Sequence, residues 1–127
     1  MTHLFDRSIT ETYFFPVDTY FADFMVDLEG ALPADRQRNL WLASALVSNF
    51  VGKGHVCLNL PEIAGMPLAN RDDGSPPVFV CPGIEEWVND LQGLSVTGKP
   101  GDFSPLVLDE KNRLYLYRYW HYEQQLA

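Results

Sequence analysis

The chain holds 127 residues, 46% of them hydrophobic and 13% aromatic, which is enough for one compact domain around one core. Charged residues make up 20%, and large apolar side chains are spread along the whole length, which excludes a disordered chain. The formal net charge of -8 speaks against a surface built to neutralise a phosphate backbone, because such binding draws on clustered Lys and Arg.

The acid excess is concentrated at the front, where seven acids (Asp6, Glu11, Asp18, Asp23, Asp27, Glu29 and Asp35) precede Arg36 against a single Arg7. Met1 is followed by polar and charged residues, and no run approaches the roughly 18 apolar residues of a membrane span. A cytoplasmic protein with no membrane partner is expected. Cys57 and Cys81 sit in apolar surroundings and belong to no CxxC or Cys/His pair, so both are read as buried free thiols.

In chain order, Val17, Tyr20, Phe21, Phe24, Met25 and Leu28 recur at three- and four-residue steps, with Asp18 and Thr19 available to cap and Gly30 to stop. This predicts an amphipathic helix. A second helix starts near Pro33 and Asp35 and runs through Leu40, Leu42, Ala43, Leu46, Val47 and Phe50 until Gly52 and Gly54 break it. Residues 55–60 read as a short strand or extended segment, and Pro61 opens a short helix through Ala64. Residues 67–77 carry turn chemistry without periodicity and are expected to form an exposed loop. Val78, Phe79 and Val80 make a brief strand. Ile84, Trp87, Val88 and Leu91 follow at helical spacing, with Glu85 and Glu86 in the first turn. Residues 93–101 read as a second, glycine-rich loop.

The clearest strand signal is last: Leu106-Val107-Leu108, a polar turn over residues 109–112, then a run from Arg113 to Trp120. Alternation puts Leu114, Leu116, Arg118 and Trp120 on one face of this hairpin and Tyr115, Tyr117 and Tyr119 on the other. The whole is a single α+β domain over residues 1–127, mostly α, a small helical bundle packed with a C-terminal β-hairpin.

Tests for chemistry return little. No GxxxxGK[ST] loop is present, and Gly52-Lys53-Gly54-His55 follows a helix, lacks a hydroxyl after its lysine, and reads as a helix end. His55 and Cys57, two apart on a strand, would stand about 7 Å apart, so His55 is read as a core or supporting histidine. The adjacent acids Asp72-Asp73, Glu85-Glu86 and Asp109-Glu110 read as solvated surface. His3, His55 and His121 lie too far apart in sequence to suggest a metal. The aromatic run from Tyr115 to Trp120, with Arg113, Arg118 and His121, allows a stacking platform for single-stranded nucleic acid. The competing reading is a hairpin whose leucine face packs on the helices and whose tyrosine face meets something beyond this domain. No enzyme activity and no cofactor are expected of the chain itself.

The stretch Gly54-His55-Val56-Cys57-Leu58-Asn59-Leu60, then Pro105-Leu106-Val107-Leu108, Arg113-Leu114-Tyr115-Leu116 and Arg118-Tyr119-Trp120-His121-Tyr122-Glu123, together resemble the amino-terminal domain of the exodeoxyribonuclease V alpha subunit, RecD. The resemblance covers residues 40–60 and 104–127. It implies a subunit of a three-subunit, ATP-dependent helicase-nuclease that processes double-strand breaks in recombinational repair, with a 5′ to 3′ motor. The Walker lysine, and with it ATP and Mg, would belong to a motor domain after Ala127. The family's amino-terminal domain looks like a docking module that holds the motor against the gamma subunit, in the company of the beta subunit, with DNA engaged only indirectly. In that frame Tyr115, Tyr117, Tyr119 and Trp120 are candidate contacts to the motor or a partner, and a route to self-association of the isolated chain.

Overall fold

Proline and glycine punctuate the helices. A computed structural model describes residue 10 and residues 13–68 and 79–117. Helix α1 (Pro16–Glu29) begins on Pro16, whose missing N–H costs nothing at a first helical position. The Asp18 carboxylate, three residues after the N-cap Phe15, reaches back to accept the Phe15 N–H at 3.0 Å. It therefore closes the helix start from inside the first turn, while the Thr19 hydroxyl donates to the Pro16 carbonyl at 3.0 Å. Gly30, at φ 91°, ends the helix, its N–H bonded to the Val26 carbonyl.

Helix α2 (Ala34–Gly52) follows directly and runs back along α1, since Asp18 meets Ser48 and Asn49 while Asp23 meets Trp41. Every side chain from Leu40 to Val47 is buried. This is the central helix, in contact with α1, with two strands of the sheet and with a later helix. Helix α2 stops at Gly52, and Gly54, at φ 99°, turns the chain away, as the glycines predict.

The main sheet follows. Strand β1 (Leu58–Asn59) leads into the short helix α3 (Leu60–Ile63), strands β2 (Pro67–Leu68) and β3 (Phe79–Val80) form a separate antiparallel pair, and helix α4 (Ile84–Leu91) precedes β4 (Thr97–Gly98), β5 (Leu106–Leu108) and β6 (Arg113–Leu116). The main sheet has the order β1-β6-β5-β4, with β6 antiparallel to both its neighbours and β4 parallel to β5. The architecture is mixed α+β and mostly helical, as expected. Helix α4 docks on α2 through its buried Trp87 and Leu91, the Trp87 indole N–H donating to the Asn39 carbonyl at 3.0 Å and Asp90 lying 3.6 Å from Arg36.

Three expectations are corrected. The glycine-rich stretch 93–101 contains β4, the loop expected over residues 67–77 opens on β2, and the last strand ends at Leu116 with Tyr117 outside it. The reason is pairing: two-residue strands carry no alternation to read and exist only because a distant partner satisfies their backbone. A parallel β4–β5 pair joined through residues 99–105 is tighter than the usual crossover of a dozen residues or more. Gly98 permits it. A Cβ there would sit 2.6 Å from Ser104 Oγ and 2.7 Å from Asp102 Cβ, while the Lys99 N–H bonds the Asp102 carboxylate at 2.9 Å to fold the link back.

The hairpin turn is held by Asp109, whose carboxylate accepts the Lys111 N–H (3.0 Å), the Arg113 N–H (2.9 Å) and Arg113 Nε (2.7 Å). Asn112, at φ 61°, takes the left-handed position of the turn. Asp109, expected as solvated surface, is thus half-buried and structural.

A candidate docking surface on the first helix

Helix α1 has two apolar faces. Ala22 and Met25 are buried against α2, with Phe21 and Val26 packed at the edge of the core. On nearly the opposite side, Val17 (66% exposed), Tyr20 (64%), Phe24 (59%) and Leu28 (53%) face outward, with Phe15 (62%) just before the helix. The four helical positions fall within roughly 80° of arc at about 100° per residue. The expected stripe of Val17, Tyr20, Phe21, Phe24, Met25 and Leu28 is therefore not a single core-facing stripe: part of it faces α2, and four members face out.

Polar bonds decide which face goes in. Asp18, 1% exposed, accepts Ser48 Oγ at 2.6 Å and Asn49 Nδ2 at 3.0 Å, and Asp23 accepts the Trp41 indole N–H at 2.8 Å. Besides the Phe15 N–H, the side-chain donors that hold these carboxylates stand on α2. Glu29 at the end of the helix accepts the Val96 N–H at 3.0 Å beside β4. With both aspartates turned inward, the helical period carries Val17, Tyr20, Phe24 and Leu28 outward. A contiguous row of large apolar side chains on one helix differs from the singly scattered ones normal on a surface, which makes this face the candidate docking surface.

The hairpin residues singled out from the sequence are distributed unevenly. Leu106, Leu108 and Leu114 enter the main core, while Val107 and Tyr115 are buried outside it. Tyr115 is 5% exposed, hydrogen-bonded with the Cys57 thiol and lying 5.9 Å under the Arg113 guanidinium, and burial, reinforced by Cys57, pushes its phenol up to about 12. It offers little ring to a partner. Tyr117 is half-buried and meets the ring of Phe103 at a 37° tilt, centroids 5.1 Å apart, and Phe103 is 89% exposed. Phe103 escaped the sequence reading because it stands alone in a loop with no periodic company. Tyr119 and Trp120, like Arg118 and His121, lie outside the described residues. Arg113 is held by Asp109 at 2.7 Å, so within the described residues the nucleic-acid platform has a buried ring in Tyr115, a half-buried one in Tyr117 and one engaged cation.

His55 is exposed, contrary to a core or supporting place, because the glycine turn after α2 carries it to the surface, where its ring lies 5.3 Å from that of Phe50. Cys57 is half-buried rather than buried, and Cys81 is buried, its thiol pushed up to about 11 by desolvation. His55 and Cys57 thus have different side-chain neighbours, Phe50 and Tyr115. Glu85 and Glu86 are exposed in the first turn of α4, as expected. Asp72 and Asp73 lie outside the described residues, as do His3 and His121. Two clefts beside the end of α4, of about 380 and 350 Å³, are lined by Ile84, Glu85 and Asn112 and by Thr97, Lys99 and Asp109 among others, and neither is lined by His, Cys or Ser. Among the described residues no group of three or more His, Cys, Asp or Glu could hold a metal ion, and no helix is long and apolar enough to cross a membrane.

The class that the fold defines is a small, mostly helical α+β domain with an outward apolar face on its first helix. The family model described as RecBCD enzyme subunit RecD, N-terminal domain, matches residues 10–115, and the chain belongs to that family. Membership gives it a part in DNA repair as a domain of the RecD subunit. No curated protein matches the chain.

Proposed function

We propose that this domain is a non-catalytic docking module that holds a 5′ to 3′ helicase motor against the gamma subunit of exodeoxyribonuclease V, in the cytoplasm. The observation that supports the reading is the outward face of α1, where four large apolar side chains are more than half exposed on a helix whose opposite face is already satisfied. ATP and Mg belong to the motor in this reading, since no residue of the chain matches a phosphate loop. In this reading the hairpin end at Tyr117 and the rim of Tyr115 meet the motor, Tyr119 and Trp120 of the following sequence are further candidate contacts, and the beta subunit and DNA are reached only through the assembly.

Titration of the purified gamma subunit onto the full-length protein tests the reading. A saturable complex supports it, and no complex at high micromolar concentration overturns it. The competing single-strand reading draws less support from the burial of Tyr115 and the engagement of Arg113. Oligonucleotide quenching of tryptophan fluorescence that weakens with salt would restore it.

A further inference from the structure

We infer that the outer face of α1 seats in an apolar groove of its partner protein, and that the rim of this groove carries Lys and Arg. The inference rests on the docking reading and adds the surface used and the chemistry of what it meets.

The spacing of the exposed side chains supports a helix laid in a groove. Val17, Tyr20, Phe24 and Leu28 follow one another at steps of three, four and four, the pattern by which an amphipathic helix presents anchors to a hydrophobic trough. From Val17 to Leu28 the row spans about 17 Å at about 1.5 Å per residue, which sets the length of the trough. Tyr20 and Phe24, at the middle of the row, are the natural central anchors, since aromatic residues near the centre carry most of the energy of such contacts.

Charge decides the occupant. Helix α1 carries Asp18, Asp23, Asp27 and Glu29 and no Lys or Arg. Asp18, Asp23 and Glu29 are bonded to Asn49, Trp41 and Val96 within the fold. Asp27 is exposed and, three residues after Phe24 and seven after Tyr20, flanks the row on their edge. A second copy packing α1 on α1 would set acid against acid, with a net charge of -8 on each chain. An anionic lipid surface or a nucleic acid is repelled by the same field. A basic-rimmed groove is complementary to it.

The test is binding of the purified gamma subunit to the full-length protein, measured for the parent, the double variant Tyr20→Ser/Phe24→Ser and Asp27→Asn, at salt from about 50 mM to about 300 mM. The inference expects the double variant to bind about tenfold or more weakly with an unchanged melting temperature, and the parent's affinity to fall with salt more steeply than that of Asp27→Asn. Asp27→Asn guards against misfolding of the double variant, because its slope is read on an intact apolar face. If the parent binds and the double variant binds equally well, the α1 face is overturned while the docking reading stands. Affinity insensitive to salt overturns the basic rim. A parent that does not bind at all overturns both readings. Self-association of the parent that the double variant abolishes replaces the partner by a second copy and overturns the inference.

Discussion

The carboxylate of Asp18 and the side-chain amide of Asn49 meet at 3.0 Å inside the α1–α2 interface, and the same carboxylate holds Ser48 Oγ and the Phe15 N–H. A carboxylate at 1% exposure is tolerable because three donors replace its water. Asp18→Ala would leave those donors unpaired, and we expect it to cost about 3 kcal/mol in urea unfolding, against about 1 kcal/mol for Asp18→Asn, which keeps an acceptor. An Ala variant within about 0.5 kcal/mol of the parent would mean that the network does not orient the helix.

Gly98 makes the short parallel return between β4 and β5 possible. Gly98→Ala puts a methyl group 2.6 Å from Ser104 Oγ and 2.7 Å from Asp102 Cβ, and the expected loss is about 1–3 kcal/mol in the same assay. The companion double variant Gly98→Ala/Ser104→Gly removes the nearest clash and should recover part of the loss. No recovery would place the strain elsewhere.

Stability should fall at alkaline pH. Burial raises the Cys81 thiol from 9.0 to about 11 and the Tyr115 phenol from 10.0 to about 12. The unfolded chain therefore releases these protons first, so the contribution is complete below about pH 9 and is lost as the pH rises through about 11 and about 12. Denaturation midpoints from pH 8 to about 12 should decline, and Cys81→Ala should flatten the earlier part of that decline. A parent midpoint constant to about pH 11 would contradict the burial of the thiol.

The rings of Tyr117 and Phe103 meet at the open end of the hairpin, the side that the proposed docking reading gives to the motor. We expect the isolated 127-residue chain to self-associate there, through Tyr117 and its neighbours, and Tyr117→Ser to weaken the dimer about tenfold in sedimentation. A dimer that Tyr117→Ser leaves unchanged would assign the contact to another surface.

Much of the fold is legible in local chemistry. Gly30, then Pro33 and Gly52, mark the end of one helix and both ends of the next within a residue or two because they act on their own backbone. The same holds for the turn over residues 109–112, where Asp109 and Asn112 supply bonds and a left-handed φ within five residues. The family too was readable, from the stretches around Leu58 and from β5 and β6. Strand β4 was not, because two residues in a glycine-rich stretch acquire strand character only from Leu106 and Val107 across the pair.

The candidate docking face shows the same division. Sequence alone determined that α1 would be a helix with apolar residues repeating along it, since periodicity and its end signals are local properties. Only the tertiary structure decided which of those residues face the core. The apolar positions extend around more of the helix than α2 can cover, and hydrophobic burial has no direction of its own. Hydrogen bonds do: Asp18 and Asp23 turn toward donors on Ser48, Asn49 and Trp41, residues 18 to 31 positions away in the chain, and that choice leaves Val17, Tyr20, Phe24 and Leu28 outside.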